Sequence, residues 1–234
     1  MNLLQCHALE KRYANKRALE NVELNLESGH IVGLLGPNGS GKTTLIKLCA
    51  GLLTPTNGEI LINGMRPCTE TKALVSYLPE RNALPLWMRT EEVVRYYADF
   101  FADFRSDAAM QMIAQLGLDL KQRIRTMSKG TREKLQLILT MSRRAKLYLL
   151  DEPIGGVDPA TRDYILHTIL SNFDGQSTIV ISTHLIADVE QILDQVVFLR
   201  NGQIALFDTV DNIRSERQTS VDALFREVFK CFEN

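Results

Sequence analysis

The sequence predicts an α/β fold with a parallel-sheet core, an N-terminal antiparallel β subdomain and an inserted α-helical subdomain. Three apolar runs, at residues 31–35, 147–150 and 178–182, have the continuous hydrophobicity of strands that are buried on both faces of a parallel sheet. Residues 22–26 instead alternate apolar and polar side chains, which is typical of a half-buried strand in a small antiparallel sheet. A helix-rich stretch at about residues 88–145 separates the first apolar run from the second and repeats apolar residues at helical spacing.

The length and composition predict one globular domain. A chain of 234 residues with 45% hydrophobic and 24% charged residues can bury a substantial core. We expect one domain over residues 1–234, with a core at about 1–80 and 146–210, the helical subdomain at about 88–145 and a C-terminal helix at about 217–234.

The charge balance and the hydrophobic pattern exclude several classes of partner. The 27 Lys and Arg residues nearly cancel the 28 Asp and Glu residues, so no global field attracts nucleic acid. No stretch approaches the roughly 18 consecutive apolar residues of a membrane-spanning helix. We therefore expect the chain to stay in the cytoplasm and to reach other molecules through local contacts.

A phosphate-binding motif follows the first apolar run. Residues 36–43 read GPNGSGKT, which fits G-x-x-x-x-G-K-[ST] between a buried strand and a helix. Glycines let the backbone curl around phosphates and aim its N–H groups inward, at the positive end of the next helix. The residues expected to contact ATP here are Gly36, Pro37, Asn38, Gly39, Ser40, Gly41, Lys42, Thr43 and Thr44. Lys42 supplies a charge for the phosphate oxygens, and the Thr43 hydroxyl is expected to bind Mg²⁺.

An apolar run lies in the segment that leads into the helical insert. Residues 84–88 read LPLWM, in a stretch that the flanking prolines indicate to be a loop. A monomeric protein seldom leaves such a run exposed. We interpret Leu84, Leu86, Trp87 and Met88 as an exposed docking patch for a partner, and the alternative is that they are buried filler.

The second apolar run ends in two adjacent carboxylates. Asp151 and Glu152 follow residues 147–150, and the period of two in a strand predicts that their side chains point in opposite directions. Asp151 is expected to hold Mg²⁺ through its water shell, while Glu152 orients and deprotonates the attacking water. The alternative is a solvated acidic turn without a catalytic role.

Together, residues 36–44 and the tripeptide DEP at 151–153 resemble the ATP-binding subunits of bacterial ABC transporters, and the resemblance covers nearly the whole chain. It implies a signature loop at residues 128–132, where Ser128 and Gly130 contact the ATP held by a second subunit. It also implies that His184 is the switch histidine and that Tyr13 stacks on adenine. Residues 155–158 resemble the loop that crosses the dimer interface.

Two positions depart from the family pattern. The usual signature LSGGQ is replaced by MSKGT at residues 127–131, which keeps Ser128 and Gly130 and adds Lys129. This Ser-Lys-Gly form resembles bacterial exporters for peptides or cell-wall-active antibiotics. Glu80 stands where the family commonly has a glutamine that links the metal to the second lobe. A carboxylate there is still expected to approach Mg²⁺, with an added charge.

The resemblance implies an ATP-hydrolysing subunit that needs Mg²⁺ and dimerises on ATP, as a homodimer or as a heterodimer with a second ATP-binding subunit. A separate membrane permease would convert that motion into transport, and it would hold the chain at the inner face of the cell membrane. The alternatives are a soluble ABC ATPase acting on ribosomes or DNA, and a nucleotide-dependent switch that scarcely hydrolyses. No residue of this ATPase identifies the cargo or the direction of transport.

Overall fold

A computed structural model describes residues 2–230, which form two β-sheets and a set of helices. The strands are β1 (Asn2–Tyr13), β2 (Lys16–Glu27), β3 (Ile31–Leu35), β4 (Asn57–Ile62), β5 (Val75–Leu78), β6 (Leu147–Asp151), β7 (Thr178–Thr183), β8 (Gln195–Arg200) and β9 (Gln203–Thr209). The α-helices are α1 (Lys42–Cys49), α2 (Thr69–Leu74), α3 (Thr90–Phe100), α4 (Ser106–Gln115), α5 (Lys129–Met141), α6 (Pro159–Asn172), α7 (Ile186–Val189), α8 (Val210–Glu216) and α9 (Val221–Lys230). Short 3₁₀ turns lie at Ile124–Thr126 and Glu190–Ile192.

The larger sheet has the strand order β5-β6-β7-β3-β8-β9, in which only β9 runs antiparallel to its neighbour. Every residue of β3, β6 and β7 is buried, as their continuous apolar runs predict. Asp151 pairs with Ser182, and Leu35 pairs with Thr183. The carboxyl ends of these three strands therefore meet at one edge, where ligands bind in open α/β sheets.

The smaller sheet is antiparallel, with β1 between β2 and β4. Along β2 the side chains of Val22, Leu24 and Leu26 are buried while their neighbours are exposed, as the alternating pattern predicts. These β2 side chains belong to an apolar cluster that also contains residues of α1 and of the six-stranded sheet, such as Leu45 and Leu149. The two sheets therefore enclose one core, and the predicted fold class is confirmed.

The helices α3, α4 and α5 enclose a separate apolar cluster that includes Val93, Ile113 and Leu135. Leu84 is also part of this cluster and is only 5% exposed, so the prediction that it lies on the surface is wrong. The Asn82 side chain accepts a hydrogen bond from the Leu84 N–H at 3.1 Å, and this tight turn directs Leu84 inward. Leu86 and Trp87 are 47% and 67% exposed.

The C-terminal segment contains two helices, although the sequence predicted one. Helix α8 follows β9 directly, and α9 begins at Val221 rather than near residue 217. The last four residues of the predicted helix, 231–234, lie outside the described residues. Helix α9 packs Phe225 and Phe229 against Phe198 of β8. None of the helices within residues 2–230 is long and apolar enough to cross a membrane.

Candidate active site

The phosphate loop connects β3 to α1 at the carboxyl edge of the sheet. Gly36 has no room for a side chain, because a Cβ there would lie 2.4 Å from the Leu199 carbonyl oxygen. Gly41 has a φ of 113°, which favours glycine, and no side chain caps the helix that begins at Lys42. The first turn of α1 thus presents backbone N–H groups at the positive end of a helix, which is a favourable environment for a phosphate.

Lys42 lies at the first position of α1 and is 5% exposed. Its ammonium group donates hydrogen bonds to the carbonyl oxygens of Gly36 at 2.7 Å and Pro37 at 3.3 Å. It also lies 3.3 Å from Oε1 of Glu152. The Lys42 side chain therefore contacts both the phosphate loop and the carboxylate of Glu152, which follows β6.

Asp151 is the last residue of β6 and is almost fully buried. Its Oδ1 accepts hydrogen bonds from the hydroxyls of Ser182 at 2.6 Å and Thr43 at 3.1 Å. Burial raises the pKa of this carboxyl, the two hydrogen bonds oppose that effect, and the nearby charges of Glu80 and Glu152 add to it. Its Oδ2 is buried with no hydrogen-bond partner among residues 2–230.

Glu152 lies just beyond the end of β6 and has a φ of 49°, in the left-handed region that non-glycine residues seldom adopt. The prediction that strand alternation directs its side chain is therefore wrong, because the strand ends at Asp151. The Glu152 N–H donates to the Ser182 carbonyl oxygen at 3.0 Å, which holds this turn against β7. Oε2 of Glu152 lies 3.1 Å from Nδ1 of His184. The structure thus brings Lys42, Glu152 and His184 together.

Two further predicted site residues border the same space. A cleft of about 370 Å³ is lined by Tyr13 and Glu80 together with Lys42, Thr43 and Thr44. The Tyr13 side chain is exposed, and the Lys11 ammonium lies 5.4 Å from the centre of its ring. Glu80 is exposed at the mouth of the cleft. Burial, followed by the charges of Asp151 and Glu80, raises the pKa of the neighbouring Tyr77 to about 12.

The predicted signature loop lies apart from this cleft. Ser128 is the N-cap of α5, where its hydroxyl accepts a hydrogen bond from the Thr131 N–H at 3.1 Å. A Cβ on Gly130 would lie 3.3 Å from the Thr161 hydroxyl of α6, so this position is tightly packed. Neither Ser128 nor Gly130 lines the cleft beside the phosphate loop of its own chain.

Two polar contacts at this site were not predicted. Ser182 supports both carboxylate residues, because its hydroxyl bonds to Asp151 and its carbonyl accepts from Glu152. Its place as the polar last residue of an apolar run is the signal that would have revealed it. The Lys129 ammonium donates to the Gly156 carbonyl oxygen at 3.2 Å, and no feature of the sequence indicates that contact.

The residues fit a magnesium ion only as part of a complex with phosphate. Oxygen atoms from Thr43 and Asp151 lie side by side, and the second carboxylate oxygen of Asp151 has no partner in residues 2–230. No cluster of three or more His, Cys, Asp or Glu side chains in that range could hold a metal by itself. This arrangement suits Mg²⁺, which commonly binds one or two protein oxygens and completes its shell with phosphate oxygens and water.

Comparison with known proteins identifies the family. A family model described as "ABC transporter" matches residues 19–155, which include the phosphate loop, Asp151 and Glu152. The chain belongs to the ABC transporter family.

Three relatives from Bacillus subtilis support this assignment. The chain is 31% identical over 227 residues to the ABC transporter ATP-binding protein YxlF of Bacillus subtilis, covering 95% of this chain and 76% of that protein. It is 32% identical over 211 residues to YdbJ of the same organism, covering 86% and 68%. The linearmycin resistance ATP-binding protein LnrL of Bacillus subtilis is 25% identical over 221 residues, covering 91% and 71%.

Solved structures agree on the fold. The structure described as an ATP-binding subunit of an ABC transporter superposes with a TM-score of 0.86 and is 29% identical, covering 97% of this chain and 99% of that one. A dimeric ATP-binding cassette bound to ADP and Pi gives a TM-score of 0.78 at 20% identity, covering 88% and 98%, which is a likeness of fold alone.

These comparisons establish the activity at the level of the family. The chain is an ATP-binding subunit of the ABC transporter type, and it binds and hydrolyses ATP. Subunits of this kind dimerise and pair with membrane permeases. The predicted family and ATPase activity are therefore confirmed, and the relatives favour a transporter subunit over an ATPase acting on ribosomes or DNA.

Proposed function

We propose that this ABC ATPase hydrolyses ATP at the carboxyl ends of β3, β6 and β7, with Glu152 as the general base and Lys42 as the phosphate-binding cation. The observation that carries this proposal is the position of Glu152, between Lys42 at 3.3 Å and His184 at 3.1 Å. A solvated acidic turn, the alternative for this carboxylate pair, would not be enclosed by two nitrogen donors.

The binding step uses the phosphate loop, Lys42 and the cleft beside them. The phosphate loop offers backbone N–H groups, and Lys42 can exchange its bonds to the Gly36 and Pro37 carbonyl oxygens for phosphate oxygens. Thr44 lines the cleft at the next position, and the exposed ring of Tyr13 lies at its edge, where it stacks on adenine. Mg²⁺ would be held by Thr43 and Asp151, with Glu80 at the mouth, and would neutralise charge on the β- and γ-phosphates.

In the hydrolytic step, Glu152 orients a water and accepts its proton as the water oxygen bonds to the γ-phosphorus. The bond from that phosphorus to the bridging oxygen breaks, and ADP and phosphate leave. His184 holds the Glu152 carboxylate through Oε2 and stabilises negative charge beside the γ-phosphate. The left-handed turn at Glu152 fixes the carboxylate for this role at a cost of about 1–3 kcal/mol.

The site is completed by a second ATP-binding subunit. Ser128 and Gly130 lie at the start of α5, away from the cleft of their own chain, so they serve the nucleotide of the opposing subunit through a hydroxyl and a helix N-terminus. The core at about residues 1–80 and 146–210 thus holds ATP, and the helical subdomain at about 88–145 closes over it from the partner.

The membrane partner is a permease, which holds the chain at the inner face of the cell membrane. Leu86 and Trp87 expose 47% and 67% of their surface at the entry to the helical subdomain, and we assign them to permease docking. The name of the relative LnrL refers to antibiotic resistance, and the Ser-Lys-Gly form of the signature supports an export role for this chain as well. We assign cargo selection to the permease.

A mixed-dimer experiment tests this assignment. Lys42→Ala destroys the phosphate loop of one chain, and Ser128→Arg destroys the signature loop of another, so each variant alone should lose ATP hydrolysis. In a mixture, the heterodimer has one intact site made from Lys42 of one chain and Ser128 of the other. We expect recovery of about a quarter of the wild-type rate, because half of the dimers are mixed and each has one working site. ATP-induced dimers without any recovery of activity would contradict the assignment.

A further inference from the structure

A second cleft lies at the amino ends of the parallel strands, whereas the phosphate loop lies at their carboxyl ends. Its volume is about 680 Å³, within the size range of small-molecule sites. Lys146 and Ser177, which precede β6 and β7, place it at the amino ends of these strands. Residues of the antiparallel sheet, the helical insert and the core all line it, and ligand sites favour such junctions.

The lining of this cleft is rich in cations. Arg105, Arg143, Arg144 and Lys146 all line it. Arg143 is neutralised by Asp103, which accepts hydrogen bonds from its Nε at 3.0 and 3.2 Å. The other three cations have no carboxylate partner within residues 2–230, and we call the space that they line the basic cleft. This local positive charge contrasts with the formal net charge of −1 for the chain.

Asp174 is the one carboxylate among the described residues that line the cleft, and it forms no ion pair with these cations. Oδ1 of Asp174 accepts hydrogen bonds from the N–H groups of Gln176 and Ser177 and from the Ser177 hydroxyl, each at 2.9 Å. Partial burial would raise the pKa of Asp174, but these hydrogen bonds outweigh it and lower the pKa. The carboxylate is thus committed to its own loop.

The side chains of Arg105, Arg144 and Lys146 differ in how freely they can move. The Arg105 guanidinium is held by the carbonyl oxygens of Met141 at 2.8 Å and Ser142 at 3.4 Å, which fixes its position without neutralising its charge. Arg144 and Lys146 are exposed, so their charged groups can adjust to a ligand. The side-chain amide of Asn63 adds a neutral donor to the lining.

From this arrangement we propose that the basic cleft binds a phosphate-bearing anion with two or more negative charges. A fixed guanidinium with mobile cations beside it suits phosphate oxygens, which arginine binds in a bidentate fashion and lysine as a point charge. Arg105 is the N-cap residue of α4, whereas Lys146 immediately precedes β6. A bound anion therefore links the helical insert to the core. This proposal does not depend on the roles assigned at the ATP site.

Calorimetric titration with pyrophosphate tests the proposal. The full chain is first saturated with Mg²⁺ and a non-hydrolysable ATP analogue, so that the phosphate loop is filled. We expect pyrophosphate to bind wild type, and the double variant Arg144→Ala/Lys146→Ala to bind it at least about tenfold more weakly. The matched control is Arg95→Ala/Lys121→Ala, which removes two exposed cations from the helical insert and should leave the affinity unchanged.

A second arm distinguishes a free anion from a lipid headgroup. Sedimentation with vesicles containing phosphatidylglycerol, compared with vesicles of neutral lipid alone, shows whether the same two cations bind a membrane phosphate. One outcome would identify the anion as a lipid headgroup. In it, wild type binds the phosphatidylglycerol vesicles but not pyrophosphate, and Arg144→Ala/Lys146→Ala loses the vesicle binding. If the double variant matches wild type in both arms, or if wild type binds neither probe, the proposal is overturned.

Discussion

The core gathers its predicted site residues in one place, whereas the helical insert holds its predicted site residues outside that place. In the core, three segments bring Lys42, the adjacent Asp151 and Glu152, and His184 together at one edge of the sheet. In the insert, Ser128 lies at the start of a helix and does not line the cleft that contains Lys42 and Glu152. Under the function proposed above, the phosphate-loop half of each catalytic site comes from one chain and the signature half comes from another.

The two regions also differ in how they are held. Strands β3, β6 and β7 form a continuous buried ladder, so the core residues have little freedom. The insert has its own apolar cluster, and Leu137 and Met141 of α5 also belong to the apolar cluster of the core. The Arg143 guanidinium adds polar contacts to the carbonyl oxygens of Val75 at 2.6 Å and Ala73 at 2.8 Å. The insert therefore joins the core through apolar packing as well as through Arg143.

The largest expected effect concerns the core. Glu152→Gln keeps the size of the side chain but removes the base, so we expect ATP turnover to fall by about 10²- to 10⁴-fold while ATP affinity is kept. The measurement is steady-state phosphate release beside equilibrium nucleotide binding. ATP-dependent dimerisation should persist in this variant, and unchanged turnover would remove Glu152 from the role of base.

The junction between the regions should be the next most sensitive. Arg143→Met leaves the Asp103 carboxylate and two backbone carbonyls without their partner, and we expect a loss of about 3 kcal/mol in the free energy of unfolding. Arg144→Met is the matched control, because Arg144 is exposed, and it should change stability by less than about 0.5 kcal/mol. Denaturant titration measures both, and equal stability of the two variants would show that Arg143 does not fix the insert.

A smaller effect is expected for ATP binding itself. Lys42→Ala removes a charge that contacts phosphate in the ground state as well as in the transition state, so ATP affinity should fall by about tenfold to a hundredfold. Equilibrium binding of a fluorescent ATP analogue measures this. The same affinity in the variant and in wild type would contradict the phosphate-loop assignment, whatever happens to turnover.

The core could be predicted from sequence because its signals are local. A continuous apolar run, a glycine-rich loop and a carboxylate pair each identify their structure within a few residues, as at Gly36 and Asp151. The orientation of Glu152 was not predictable in this way, since its left-handed backbone depends on hydrogen bonds to Ser182, 30 residues away in sequence. Strand β8 and helix α8 were also missed, although residues 196–199 are continuously apolar.

The insert was harder to predict because exposure depends on tertiary contacts. Residues 84–88 read as one apolar run, yet Leu84 is 5% exposed and Trp87 is 67% exposed. The difference arises from the turn at Asn82 and from the Gln136 side chain, which accepts a hydrogen bond from the Ala83 N–H at 3.0 Å. Gln136 is 53 residues from Ala83 in sequence, so hydrophobic periodicity carries no information about this contact.

The smallest expected effect on stability is that of Trp87→Ala, and it should differ clearly from that of Leu84→Ala. Trp87→Ala should change the free energy of unfolding by less than about 0.5 kcal/mol, because most of its side chain is already in contact with water. Leu84→Ala is the matched comparison and should cost about 2–5 kcal/mol, because it opens a cavity in the apolar cluster of the insert. A thermal or denaturant melt of both variants measures this difference.

For permease binding we expect the larger effect from Trp87→Ala and the smaller effect from Leu84→Ala. Exposed aromatic residues commonly anchor interfaces, so Trp87→Ala should weaken co-purification with the membrane subunit while basal ATP hydrolysis stays near the wild-type rate. Leu84→Ala should retain permease binding in the fraction that remains folded, since its side chain faces the interior. Retained co-purification of the Trp87 variant would remove this residue from the docking surface. The helical insert would then have to meet the permease through another face, and the exposed rings of Tyr96 and Phe100 on α3 would be the next to test.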